Sequence, residues 1–261
     1  MPSPPLSIET CSLQRRFGNF EAVKDLNLQV PQGSFFGFLG PNGAGKSTTI
    51  KMLTGLLRPS QGQVLVLGQD IWQAPVELKR KIGVVPEKLH LFERLTGPEY
   101  LEFVGAMYGM RAELIQQRRS ELLELMELSE RTDLMIADYS HGMRKKLALA
   151  AALIHNPQIL FLDEPFEGVD AVSAKVLRQL LQDLTARQVT VFLTSHILEV
   201  VEKLCDHLAI IHQGRLIATG PLKEIMARLS GNLPVGTASL EDAFIQIVGQ
   251  RSSTHQLSWI Q

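Results

Sequence analysis

The spacing of apolar residues changes along this chain, and each change predicts a different kind of element. In the first third, short apolar runs alternate with Gly, Pro and Asn turns, so Leu6 to Ser12, Leu26 to Val30, Phe35 to Leu39 and Gln63 to Leu67 read as strands. From about Lys88 the period becomes helical. It opens at Thr96-Gly-Pro-Glu99, a capping box, and continues through Leu114, Leu122, Leu125 and Met126 at three- and four-residue spacings. Strand character returns at Gln158 to Leu162, Val189 to Leu193 and Leu208 to His212, with a helix expected from about Ser173 to Ala186. Such a βαβ alternation predicts a parallel sheet. Two short helical patterns, Leu222 to Leu229 and Leu240 to Val248, precede a polar tail. The expected organisation is an α/β core over 1–87 and 156–220, a helical subdomain over 88–155, and a C-terminal helical extension and tail over 221–261.

Between the predicted strand Phe35 to Leu39 and a helical pattern carrying Ile50, Leu53 and Leu57 lies Gly40-Pro41-Asn42-Gly43-Ala44-Gly45-Lys46-Ser47-Thr48. It fits G-x-x-x-x-G-K-[ST] in the strand, loop, helix context that this pattern requires. A triphosphate ringed by backbone N–H groups needs close approach and unusual φ/ψ, hence Gly43 and Gly45. The loop runs into a helix N-terminus that favours anions, Lys46 adds a mobile cation, and Ser47 offers a hydroxyl to Mg²⁺. This loop implies a bound nucleoside triphosphate and leaves kinase, GTPase and ATPase open.

Composition narrows the partners. The 261 residues, 45% hydrophobic and 20% charged, suit an ordinary globular protein with a sizeable core. With 26 basic and 27 acidic residues and no long like-charge run, there is no electrostatic footprint for nucleic acid. The longest plainly apolar run, Leu147 to Ile154, is too short to cross a bilayer, and the start Met-Pro-Ser-Pro-Pro lacks a basic region followed by an apolar core. The expectation is a chain that neither spans a membrane nor is exported. Cys11 and Cys205 stand singly, which suits a reducing cytoplasm and predicts two partly buried free thiols.

Ile159 to Leu162 is an apolar strand that ends in Asp163-Glu164-Pro165, expected to lie in the strand adjacent to the phosphate loop. Carboxylates at the C-terminal end of a parallel strand sit on the ligand-binding edge, so Asp163 can reach Mg²⁺ and Glu164 can polarise an attacking water. Tyr139-Ser140-His-Gly142-Met then stands before a strong helix pattern, Arg144 to Ile154, with Ser140 as its N-cap. A phosphate loop, a serine-glycine helix start and an Asp-Glu pair, in that order, resemble the nucleotide-binding domain of ATP-binding cassette (ABC) transporters over about Leu6 to Gly220.

The resemblance implies a P-loop NTPase core with a parallel sheet and antiparallel N-terminal strands, plus a helical subdomain. It further implies that Ser140 and Gly142 cap the γ-phosphate held by the phosphate loop of a second subunit, so that one subunit alone is incomplete. By position, Phe17 matches the aromatic that stacks on adenine, Phe166-Glu-Gly168-Val-Asp170 the loop that communicates across the dimer, and His196 the switch histidine at the γ-phosphate. Two departures stand out. Glu87 occupies the place of a Gln that reaches metal and water, adding negative charge beside Mg²⁺, and the signature reads Ser-His-Gly-Met instead of Ser-Gly-Gly-Gln. Both, with Leu-Glu-Asp-Ala-Phe244, resemble the subgroup that serves export-type permeases.

What the resemblance implies is an ATPase subunit at the cytoplasmic face of the membrane that closes as a homodimer or with a paired ATPase subunit on Mg-ATP and drives a separate transmembrane permease. Coupling is expected through Glu87 to Arg94, with Leu91 and Phe92 available to a permease helix. The alternative is a soluble ATPase of the same type acting in assembly or regulation; co-purification with a membrane protein separates the two.

Overall fold

The computed structural model describes residues 5–230 and residue 244. The chain opens with β1 (Leu6–Phe17), β2 (Phe20–Leu26) and β3 (Gln29–Pro31). The single strand expected at Leu26 to Val30 is thus two. Asp25 takes φ +47°, the Asn27 side chain accepts from the Ser12 amide at 2.8 Å, and the Leu28 amide turns to the Thr10 hydroxyl at 2.9 Å. These local side-chain bonds replace ladder bonds and turn a corner.

Next come β4 (Phe35–Leu39), α1 (Lys46–Leu53), β5 (Gln61–Val66), β6 (Gln69–Asp70), α2 (Pro75–Lys79) and β7 (Ile82–Val85). β1, β2, β3, β5 and β6 form the expected antiparallel N-terminal sheet. The helical region holds α3 (Gly97–Met107), α4 (Ala112–Leu125) and α5 (His141–Leu153), with two short 3-10 turns before the last. The capping box forms: the Thr96 hydroxyl accepts from the Glu99 amide and the Glu99 carboxylate accepts from the Thr96 amide at 2.8 Å. Then follow β8 (Ile159–Asp163), α6 (Ala171–Ala186), β9 (Thr190–Ser195), α7 (Leu198–Leu204), β10 (His207–His212), β11 (Arg215–Pro221) and α8 (Leu222–Ser230). The pattern at Leu240 to Val248 lies outside the described residues except Phe244, which packs against the larger core.

The second sheet runs β11-β10-β4-β9-β8-β7, parallel throughout except for the β10–β11 hairpin. Its central strands are buried on both faces, as their near-continuous apolar runs require. The period-two alternation sorts their side chains between two cores. Phe36, Phe38, Phe161 and Phe192 face the antiparallel sheet and α1, with Phe192 at 5.5–5.6 Å from the other three ring centroids. Phe35, Leu39, Leu160, Leu162, Val191 and Leu193 face the other way and share a core with Leu101, Ile115, Leu123, Ile136 and Leu147 of the helical region.

One topological expectation is corrected. The carboxylate strand β8 is not adjacent to the phosphate-loop strand β4, because β9 pairs with both and lies between them. The thiols also depart from expectation: Cys11 is exposed, whereas Cys205 is fully buried and its thiol is pushed well up by burial.

Candidate functional site

A cleft of about 490 Å³ opens at the C-terminal ends of β4, β8 and β9. The phosphate loop forms its floor. Gly43 and Gly45 take φ +78° and +110°, the left-handed region that needs glycine, and Gly45 is the N-cap of α1. A Cβ on Gly40 would stand 2.4 Å from the Ile211 carbonyl oxygen, so this position admits no side chain without moving β10. Pro41, Asn42, Gly43, Gly45, Lys46, Ser47 and Thr48 line the cleft, while Gly40 and Ala44 are buried behind it.

Lys46 is held inside the chain. It is 7% exposed and folds back to donate to the Gly40 carbonyl at 2.7 Å, with Nζ 3.5 Å from Glu164 Oε1. The opposite oxygen of that carboxylate, Oε2, accepts from His196 Nδ1 at 3.0 Å and from the His196 amide at 3.3 Å. Lys46, Glu164 and His196 therefore form one continuous chain across the cleft. A water-poor setting strengthens each link, since the Glu164 side chain is only 8% exposed.

Glu164 holds an unusual backbone. Its φ of +51° lies in the left-handed region, which is unfavourable for a residue with a side chain and persists only where surroundings over-determine it. Its amide donates to the Thr194 carbonyl at 3.3 Å and to the Thr194 hydroxyl at 3.2 Å, and the same hydroxyl donates to Asp163 Oδ1 at 2.5 Å. Asp163 is buried at the back of the site with this one hydroxyl on Oδ1. Glu87 and Glu167 join Glu164 on the cleft wall. The floor therefore presents amides and a lysine to an anion, and the wall presents carboxylates beside the Ser47 hydroxyl.

The other predicted residues lie apart. Ser140 caps α5 by accepting from the Met143 amide at 3.2 Å, and neither it nor Gly142 lines the cleft. Asp170 caps α6 through Oδ1, accepting from the amides of Ser173 and Val172 at 3.0 Å, and the Ser173 bond holds its carboxyl below the usual range. Gly168 approaches His141 so closely that a Cβ there would be 3.1 Å from the imidazole. Phe17 is half-exposed at the end of β1 with the Arg15 guanidinium 4.5 Å from its ring centroid, and it does not line the cleft. Its cross-strand neighbour Phe20 does.

Phe20 and Thr194 are residues of this region that sequence reasoning did not single out, and Glu167 was read only as part of the Phe166 to Asp170 loop. Thr194 stands two residues before His196, and the Leu-Thr-Ser-His run was the only signal for it.

Comparison with known proteins agrees with this geometry. Residues 23–167 match the family model described as ABC transporter. The linearmycin resistance ATP-binding protein LnrL of Bacillus subtilis (strain 168) is 37% identical over 246 residues, covering 94% of this chain and 78% of that protein. The probable multidrug ABC transporter ATP-binding protein YbhF of Escherichia coli (strain K12) is 36% identical over 248 residues, which is 95% of this chain but 43% of that longer protein. Among solved structures, a dimeric post-hydrolysis ATP-binding cassette bound to ADP and Pi superposes with a TM-score of 0.76 at 26% identity, covering 82% of this chain and 98% of that one. The phosphate loop, the carboxylates and the capped signature helix thus stand in a P-loop NTPase fold whose relatives share both sequence and shape, and the chain belongs to the ABC transporter family as an ATP-binding subunit that hydrolyses ATP.

Proposed function

We propose that this chain powers an export-type transporter by closing as a dimer on Mg-ATP and moving a separate membrane permease from the cytoplasmic face. The observation that carries the two-subunit part is the placement of Ser140 and Gly142. They form the start of a capped helix with a free face in solvent, outside the cleft they are expected to complete. A helix N-terminus is an anion site, and the phosphate of a second copy's nucleotide fits it. The named relatives act in linearmycin resistance and in a probable multidrug transporter, which supports export. Among the described residues no helix is long and apolar enough to cross a membrane.

Within the cleft, the entering γ-phosphate replaces the Gly40 carbonyl and Glu164 as partner of Lys46. That exchange frees Glu164 Oε1 to accept a proton from water while Oε2 stays anchored on His196. His196, on its anchored ring, faces the γ-phosphate as the switch group, and a half-exposed Phe17 offers a face to adenine. The Ser47 hydroxyl, Asp163 Oδ2 and Glu87 fit a magnesium ion, a hard cation that prefers few protein oxygens alongside phosphate and water. When bound, it neutralises charge on the phosphate oxygens.

Coupling to the permease runs through the segment around Glu87 to Arg94. Phe92 is 54% exposed and its ring meets Phe103 edge-on at 5.2 Å, giving an aromatic ledge beside a groove lined by Leu89, Leu91, Tyr100 and Val104. Glu93 ties this segment to the signature region through Arg144 at 3.0 Å.

Glu164→Gln tests the chemistry. The variant should bind ATP as the wild type does and hydrolyse it roughly 10²–10⁴-fold more slowly, accumulating an ATP-bound dimer in size-exclusion chromatography. Unimpaired turnover by a monomer would refute both the base and the two-subunit site. Co-purification with a membrane protein, and stimulation of turnover by it, tests the permease.

A further inference from the structure

Lys145 sits on α5, one turn after the Ser140 cap, between Arg144 and Lys146. It is buried. It is 8% exposed, and its ammonium donates to the carbonyl oxygen of Glu164 at 3.0 Å and to that of Glu167. Burying an ammonium is costly unless its protons find acceptors, and here they find the two carbonyls that open and close the turn after β8. The carboxylates of Glu167, Glu164 and Glu87 lie near enough to oppose the effect of burial, which pushes the Lys145 ammonium toward losing its proton.

One of these two contacts falls on the strained residue. Glu164 is fixed from β9 at its amide by Thr194, and at its carbonyl by Lys145 and, within the turn, by the Glu167 amide at 3.3 Å. A left-handed non-glycine residue persists only where its surroundings over-determine it. The amide side is held by the sheet, and the carbonyl side is held by a side chain from the signature helix.

Resting on the reading of Glu164 as the group that polarises water, we propose that Lys145 is a positioning residue for the hydrolytic step: it locks the Glu164 turn to the helix that starts at Ser140, so the carboxylate is aimed only while that helix is seated. The signature helix thereby acts on the hydrolytic carboxylate of its own chain as well as on a second copy's phosphate. Lys145 does not reach the cleft, so its loss should leave nucleotide binding intact.

The test compares Lys145→Met with Lys145→Gln. The two replacements are similar in length and both neutral, and they differ in that only Gln can donate to the carbonyls. Lys145→Met should lower kcat about 100-fold with KM for ATP little changed and an ATP-bound dimer accumulating, as expected for a misaimed carboxylate. Lys145→Gln should recover about ten-fold of that loss, with the same thermal midpoint as the Met variant. Equal turnover by the two variants would overturn the proposal, whether both match the wild type or both are inactive. Glu164→Gln is measured alongside. If it stalls while Lys145→Met does not, only the role of Lys145 fails; if Glu164→Gln turns over freely, the reading of Glu164 falls and takes this one with it.

Discussion

The phosphate-loop cleft and the start of the signature helix are built in opposite ways. On the phosphate-loop side, Lys46 and Glu164 are each less than a tenth exposed, and their charged ends are partnered inside the chain by a carbonyl, an imidazole and each other. On the signature side, Ser140 and His141 are exposed, and among the described residues the Ser140 hydroxyl oxygen serves its own helix cap. The groups of the first part are held by partners within the chain before any ligand arrives. The second is open to solvent. On the reading proposed above, the contrast divides two events: nucleotide capture would belong to one chain, and commitment to hydrolysis to a pair.

The comparison breaks most completely at Lys46. Lys46→Ala should cost roughly 10²–10³-fold or more in turnover and weaken ATP binding by the isolated monomer, read by a hydrolysis assay and a nucleotide titration. Full activity would mean that the buried side is not the phosphate site. Ser140→Arg attacks the other side alone. A bulky cation there should cost about 2–5 kcal/mol of ATP-dependent dimerisation, measured by light scattering, while the monomer's affinity for ATP holds. A dimer that forms and turns over normally would remove the two-part division. The smallest effect is expected at Thr96→Ala, which deletes the cap that starts α3 beneath the signature region. Thermal stability should fall by about 1 kcal/mol with no change in ATP binding, which separates the frame from the surface it carries.

Legibility in the sequence follows the same division. Gly40 to Ser47 was readable because each residue type answers a local demand: left-handed backbone at Gly43 and Gly45, no side chain at Gly40, and a cation next to a helix start. Ser140 and Thr96 were readable as caps for the same reason, as their partners are three residues away. Thr194 and Lys145 were not. Their partners lie 31 and 19 positions off, and their residue types are ordinary for a strand and a helix face. Phe20, at the start of β2, is likewise an ordinary strand residue, and only the fold brings it to the cleft. β11 was not read from the sequence, since only pairing with β10 makes it a strand.

β9 carries a consequence for how this chain can change over time. Thr194 reaches Asp163 and Glu164 on one side, Leu39 at the mouth of the phosphate loop pairs with Ser195 on the other, and His196 follows directly. A slip of one residue in this strand would turn Thr194 to the opposite face and withdraw His196 in the same movement. Single insertions or deletions in β9 should therefore be inherited only with a compensating partner nearby, whereas the loops at the far edge of the sheet are free to drift in length one residue at a time.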